Sequence, residues 1–291
     1  MSEWTLGIIG GSGLYQLDGL ANLRRERVET PWGAPSDLLT FGELHGVPLV
    51  FLPRHGQGHR LPPAAIPFRA NIAALKQAGC TDILSISACG SLREDLPPGH
   101  FVMVDQYVDR TEGRERSFFG PGCVAHVPMA KPVCSRLSRL AAGAGQAAGI
   151  AVTPRGTYLA MEGPQFSTRA ESELYRQWGM DVIGMTNMPE ARLAREAELP
   201  YASIAMVTDY DCWREHTHSV DAALVLEVMR SNTVKVRQLL DRLVLEMSGQ
   251  ARTPGPEGIE TVLDTAMITL PGARDPEMVR RLATIAGRVL G

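Results

Sequence analysis

The chain is predicted to fold as α/β, a single domain built on a mixed, largely parallel twisted sheet flanked by helices. Three observations carry that expectation. Short runs that are almost wholly apolar, such as Ala202–Val207, read as strands buried on both faces. Such runs alternate with stretches of helical length that stop at glycine, the pattern of βα units. A hairpin signal near the start adds an antiparallel pair to the parallel ones.

The 291 residues, 44% hydrophobic and 21% charged, suffice for one large domain or two small ones. With 29 basic and 32 acidic residues the net charge is -3 and no block of like charge occurs, which argues against a nucleic-acid surface. Cys80, Cys89, Cys123, Cys134 and Cys212 are odd in number, scattered and without a CxxC pair, so reduced thiols are expected rather than zinc. MSEWTLGIIGG has no basic region followed by an apolar stretch, and no segment is long enough to span a bilayer. A cytoplasmic protein with no membrane and no nucleic-acid partner is the expectation.

Trp4–Ile9 reads as a strand running into Gly10-Gly11-Ser12-Gly13, a loop whose backbone N–H groups can approach a phosphate. The dinucleotide pattern G-x-G-x-x-G fails there, because its third glycine falls on Gln16. Leu38–Leu44 and Val47–Leu52 form a hairpin joined at His45-Gly46. The second strand ends in the basic loop Arg54–His59, where Arg54 offers a planar fork for phosphate and His55 a second donor. His55 and His59 have the i, i+4 spacing of helical metal ligands, but Gly56 and Gly58 oppose a helix.

Pro67–Ala78 is predicted helical, with Gly79 as its stop. Strand Thr81–Ile86 opens into Ser87-Ala88-Cys89-Gly90-Ser91, small residues that permit close approach by a ligand. Phe101–Val104 is a strand. Gln106–Ala130, with Arg110, Arg114, Arg116, Phe118, Phe119 and His126, lacks periodicity and reads as a functional or subunit-contact loop. Val133–Ala148 is a helix, and Val152–Ala160 a strand ending in Met161–Ser167. Thr168 and Glu171 have capping-box spacing for a helix that runs to Trp178, which leaves Phe166 and Ser167 at its entrance.

Asp181–Gly184 is a brief strand followed by Met185-Thr186-Asn187, and Pro189 and Glu190 suit the first turn of a helix reaching about Glu198. Strand Tyr201–Val207 then breaks into Asp209, Tyr210 and Asp211. Two acids at i and i+2 beyond a strand's carboxyl end can be driven apart in pKa, one ionised and one protonated. Ala222–Leu245 is a helix, Ala251–Gly258 a linker, and Pro276–Leu290 a final amphipathic segment.

Taken together, GIIGGSGLY, RHGQGHRLPP, SACGSLRE, EGPQFSTRAES, DVIGMTNMPEA and ASIAMVTDYDCW resemble, in the same order, the purine nucleoside phosphorylase and methylthioadenosine phosphorylase family. The resemblance covers roughly residues 4 to 245. It implies a phosphorylase/hydrolase-like domain over 1–250, with 251–291 a linker and helical extension packing on the core or on a neighbouring subunit. It also implies phosphorolysis, with inorganic phosphate as co-substrate, no cofactor and no metal. Phosphate is then assigned to Ser12, Arg54, His55, Ser87, the backbone of Ala88, and Thr186. Met185 covers the ribose, Phe166 and Ser167 line the base, and Asp209, Tyr210 and Asp211 form its recognition loop.

In this reading a protonated Asp209 serves N7 of the departing purine, and an ionised Asp211 selects a 6-amino group. TDYDCW resembles the methylthioadenosine-cleaving members, whereas 6-oxopurine phosphorylases place Asn in that loop. An apolar 5′ pocket falls on Ala222, Val225 and Leu226, with His126 and residues near Leu270 from an adjacent subunit, and a homotrimer is implied. Gln165 and Gly184 depart from the residues common in the family, Arg and Asn. Competing readings are a phosphorylase of adenosine, inosine, guanosine or methylthioinosine, and a non-catalytic nucleoside-binding or dinucleotide-dependent protein.

Overall fold

The computed structural model describes residues 3–11, 17–214 and 222–290, with side chains throughout except at 222–226. In chain order the elements are β1 (Leu6–Gly10), β2 (Ala21–Glu26), β3 (Leu39–Leu44), β4 (Val47–Pro53), α1 (Phe68–Gln77), β5 (Asp82–Ser91), β6 (Phe101–Val104) and β7 (Gln106–Arg110). There follow α2 (Ser135–Ala147), β8 (Val152–Thr153), β9 (Thr157–Met161), α3 (Arg169–Gln177), β10 (Val182–Gly184), α4 (Asn187–Glu196), β11 (Tyr201–Asp209) and α5 (Ala222–Ser248). The chain ends in α6 (Leu263–Ala266), α7 (Pro276–Arg281) and α8 (Ala283–Leu290). None of the helices among the described residues is long and apolar enough to cross a membrane.

These strands form one mixed sheet that forks at β5. Along its first residues β5 runs parallel between β1 and β11, with Ile83 opposite Gly7 on one side and Tyr201 on the other. At its end Gly90 and Ser91 turn to pair antiparallel with β10. One branch continues through β11 to β6 and β8, the other through β10 to β9 and β7. Alternate side chains feed opposite layers, which is why the strands read as unbroken apolar runs. Ile9, Ile83, Ala205 and Val207 join α1 and α4 on one face. Ile8, Leu84, Ile204 and Met206 join α2 and α5 on the other.

Four expectations are corrected. The strand expected to stop at Ile86 continues to Ser91, because the small residues of SACGS pair with β11 and β10. Within the supposed loop 106–130, β7 pairs parallel with β9. Val152–Ala160 is two strands, since Pro154 has no N–H for the ladder and the halves pair with different neighbours. Pro276–Leu290 is two helices divided at Leu282, a buried residue that packs with Ile285 and Ala286 in the core beside α1. β2 was missed, because all six of its residues are exposed and carry no alternation. The hairpin at His45-Gly46 is present, with both residues at positive φ.

Candidate active site

The sheet forks toward the carboxyl ends of β5 and β11, the region where open α/β sheets bind ligands. Two local irregularities aim side chains into it. Between Val207 and Asp209 the pairing of β11 with β5 shifts by one residue, so Thr208 is the extra residue of a bulge. Asp211 adopts φ +51°, a left-handed conformation that Asp tolerates better than most residues. Its backbone N–H donates to Asp209 Oδ1 at 2.8 Å, closing a tight turn on the side chain two residues before.

Gly90 makes room for this turn. A Cβ at Gly90 would stand 3.0 Å from Asp209 Oδ1 and 3.3 Å from Asp211 Cβ. Trp213 Nε1 donates to Ser91 O at 2.8 Å beneath the Arg176 guanidinium, which anchors the far side of the turn. Cys212 Sγ donates to Ser167 O at 3.2 Å and so joins the turn to the loop before α3. The Tyr210 hydroxyl points outward to Glu94 O at 3.4 Å, so its ring borders the turn rather than filling it.

Burial raises the pKa of both carboxyl groups. At Asp209 the Thr208 hydroxyl and the Asp211 amide oppose it. At Asp211 the charge of Asp209 adds to it, and the nearby Ser172 hydroxyl opposes it without closing a hydrogen bond to Oδ2. Asp211 Oδ2 is buried and has no hydrogen-bond partner among the described residues, and the same holds for Ser172 Oγ. Thr208 and Ser172 were not singled out in the sequence. Their only signal was position, one before Asp209 and the other on the helix that the capping box opens.

The residues expected to face phosphate come from other strand ends. Thr186 is the N-cap of α4, buried, and its side chain makes no capping bond. Ser87 Oγ donates to Asn187 Oδ1 at 3.2 Å, and Ala88 lies beside Met206 in the sheet. The departure at Gly184 has a steric reason: a Cβ there would overlap the hydroxyl of Tyr158. That hydroxyl lies 3.5 Å from Thr186 N. Met185 lies over Gly163, where a Cβ would strike its sulfur. Ser167 Oγ donates to Met161 Sδ at 3.7 Å, and Phe166 is 55% exposed on the open side.

Two of the expected phosphate contacts, Arg54 and His55, are partly engaged within the protein. The Arg54 fork is spent on Glu190, with Nε at 2.8 Å and Nη2 at 3.0 Å from its oxygens. Nη2 also donates to Ser85 Oγ at 2.6 Å and Nη1 to Ile86 O at 3.0 Å, which uses four of the five N–H groups and leaves one on Nη1. His55 donates from Nδ1 to Leu61 O at 2.9 Å, and burial lowers its pKa to about 4. The neutral ring therefore offers Nε2 as an acceptor, not as a second donor. It stacks on His59 with ring centres 4.0 Å apart.

The remaining assignments lie elsewhere. Ser12 is outside the described residues, as are the side chains of Ala222, Val225 and Leu226 at the start of α5. His126 is exposed on a separate strip, its N–H donating to Ala266 O at 2.8 Å. Ala125 bridges Met267 on that strip, and Ile268 and Leu270 are exposed beside it.

A sequence model of the phosphorylase superfamily matches residues 5–245. The chain belongs to this superfamily. Two full-length relatives are both named S-methyl-5′-thioadenosine phosphorylase. The protein from Cereibacter sphaeroides is 55% identical over 285 residues, 98% of each chain. That from Bradyrhizobium diazoefficiens is 55% identical over 290 residues, covering 100% of this chain and 99% of its own. Among solved structures, a methylthioadenosine phosphorylase from an antarctic soil metagenomic library superposes with TM-score 0.91 at 45% identity, over 98% of this chain and 99% of that one. Methylthioadenosine phosphorylase from Schistosoma mansoni in complex with adenine gives TM-score 0.85 at 39% identity, over 92% of this chain and 100% of that one.

Proposed function

We infer that the chain is a pentosyltransferase that cleaves S-methyl-5′-thioadenosine with phosphate, giving adenine and 5-methylthioribose 1-phosphate. The full-length relatives support the reaction, and the Asp209–Asp211 turn at the strand ends supports the choice of base. A phosphate oxygen attacks C1′ of the ribose, the C1′–N9 bond breaks, and its electron pair passes to the purine. Neutral Asp209 gives its proton to N7 as that charge develops and is reprotonated from solvent. The second carboxylate, Asp211, keeps Oδ2 for the 6-amino donor of adenine; a 6-oxo group there would meet it acceptor to acceptor.

Inorganic phosphate is the co-substrate, and no metal or other cofactor takes part. Thr186, the Ala88 amide, Ser12 and the remaining Nη1 hydrogen of Arg54 donate to it, as does Ser87 once its one hydroxyl hydrogen turns from Asn187 Oδ1 to the anion, while His55 Nε2 accepts a phosphate hydroxyl. Met185 covers the ribose, Phe166 and Ser167 border the base, and Ala222, Val225 and Leu226 line the methylthio end. His126 and Leu270 complete that end from the next subunit of a homotrimer. The observation that carries the reading of the base is the buried, unpartnered Oδ2 of Asp211 beside Asp209. Turnover of S-methyl-5′-thioadenosine, adenosine, inosine and methylthioinosine tests it. The 6-amino substrates are expected to lead, with the methylthio group favoured over the 5′-hydroxyl by roughly 5- to 150-fold for about 1–3 kcal/mol. Preference for a 6-oxo substrate would overturn it.

A further inference from the structure

One guanidinium joins the two segments that carry the phosphate and ribose side of the proposed site. Arg114 lies in the stretch between β7 and α2, yet its side chain is only 2% exposed. Its Nη1 donates to Met185 O at 2.7 Å and to Met188 O at 2.8 Å. Nη2 donates to Glu162 O at 2.8 Å, and Nε to Glu162 Oε2 at 3.0 Å. The same carboxylate oxygen accepts the Glu112 N–H at 2.8 Å, and the guanidinium stands 5.4 Å from the centre of the Phe68 ring at the start of α1.

These partners bracket the site. Met185 O and Met188 O flank Thr186, and Glu162 immediately precedes Gly163, over which Met185 lies. Three carbonyl oxygens and a carboxylate brought this close repel one another unless a cation with several separated donors stands between them. A guanidinium presents five N–H groups in a fixed plane and meets all four oxygens at once. A lysine presents its donors from one atom and cannot span them.

We propose that Arg114 is a positioning residue of the reaction, holding the Met185–Thr186 turn at a fixed distance from the loop that leads to Phe166 and Ser167. This rests on the phosphorolysis reading of the site. Arg114 touches Met185 directly, whereas Phe166 and Ser167 lie four and five residues beyond Glu162, so its loss falls mainly on the phosphate and ribose side and only weakly on the base, which Asp209 and Asp211 hold. Displacing a bound reactant by about 1 Å costs on the order of 100-fold in rate.

The test compares wild type, Arg114→Lys and Arg114→Ala for kcat, for KM of phosphate and for Kd of adenine, with melting curves as a control on folding. Both variants are expected to fold, to lose roughly 30- to 100-fold in kcat with a raised phosphate KM, and to bind adenine within about twofold of wild type. Millimolar guanidinium is expected to restore part of kcat to Arg114→Ala and to leave wild type unchanged. Wild-type kcat and phosphate KM in Arg114→Lys would overturn the proposal, as would equal losses of adenine and phosphate affinity, or failure of both variants to fold. An active wild type beside unaffected variants overturns the proposal alone. A wild type that releases no adenine overturns the phosphorolysis reading, and the proposal falls with it.

Discussion

At Asp209 the two carboxyl oxygens are already divided between neighbours. Oδ1 accepts the Asp211 amide, and Oδ2 lies 2.7 Å from Thr208 Oγ1, which is itself 3.1 Å from Cys89 O. A hydroxyl has one hydrogen, so Thr208 donates either to Asp209 or to Cys89. When Asp209 is ionised Thr208 serves the carboxylate, and when Asp209 is neutral Thr208 is free to serve the carbonyl. The turn thus accommodates both protonation states of the proposed acid. Because the neutral form is the working one and burial raises its pKa, turnover is expected to fall as pH rises through that pKa. Removing the hydroxyl that opposes the rise, in Thr208→Val, is expected to move this alkaline limb of kcat to higher pH; an unmoved limb would separate it from Asp209.

The two acids are also expected to fail differently. Asp209→Asn keeps the shape but has no acidic proton, so turnover should drop roughly 10²- to 10⁴-fold while binding falls less. Asp211→Asn supplies an amide N–H that can meet a 6-oxo group, so it should relax the bias against methylthioinosine and slow adenine release. Kinetics of both variants on methylthioadenosine and methylthioinosine check this. Small, equal losses would make Asp209 and Asp211 ordinary turn residues.

Among elements, the end of β5 decides the site's shape. Gly90 has no strained φ, so Gly90→Ala is conformationally allowed, yet its Cβ would press on Asp209 and on Ile183 Cγ2 at 3.2 Å. Overpacking of this kind costs about 1–3 kcal/mol, and the Cβ would press directly on the Asp209–Asp211 turn proposed to carry catalysis. Gly90→Ala is expected to lower kcat at least about tenfold with a small fall in Tm. A large Tm loss with kcat retained would show that the strand yields instead.

Helix α4 supplies a pH signature of its own. Glu196 is buried and accepts from Ser117 Oγ at 2.7 Å and Phe118 N at 2.6 Å, and burial pushes its pKa up to about 7 despite those bonds. A carboxyl raised on folding stabilises fully below its unfolded pKa, near 4.3, and loses that contribution as pH rises through the folded value. Glu196→Gln removes the titration. Relative to wild type, its stability is therefore expected to gain on the order of 2–4 kcal/mol between pH 5 and pH 8, read as a rise in relative Tm. A Tm difference that does not change with pH would contradict the raised pKa.

What the sequence disclosed follows the same elements. Phe101–Val104 and Tyr201–Val207 were legible because strands buried on both faces need apolar residues throughout. The capping box of Thr168 and Glu171 was legible because its chemistry is local, and both of its bonds are present. The end of β5 was not, since Ser, Ala, Cys and Gly look like loop until two partner strands claim them. β2 was hidden by its exposure. The state of His55 depends on Leu61 O, and the Arg54 fork on Glu190, 136 residues away; neither contact leaves a pattern along the chain.

For the whole molecule, the strip of His126, Ile268 and Leu270 bears on assembly. Leu270 is 74% exposed beside Ile268, an apolar patch of the kind that a partner subunit covers. Sedimentation is expected to give a trimer. Leu270→Glu should weaken that trimer and raise KM for methylthioadenosine more than KM for phosphate, since the strip is proposed to complete only the 5′ end. A monomer with full activity would remove the neighbouring subunit from the site.

The most direct measurement is adenine release from S-methyl-5′-thioadenosine by the purified protein, with and without inorganic phosphate, alongside quantitation of the sugar product. Phosphorolysis at the Asp209–Asp211 turn requires release only when phosphate is present, with one 5-methylthioribose 1-phosphate formed per adenine. Adenine release at an equal rate without phosphate, yielding the free sugar, or tight binding of the nucleoside with no release, would contradict it.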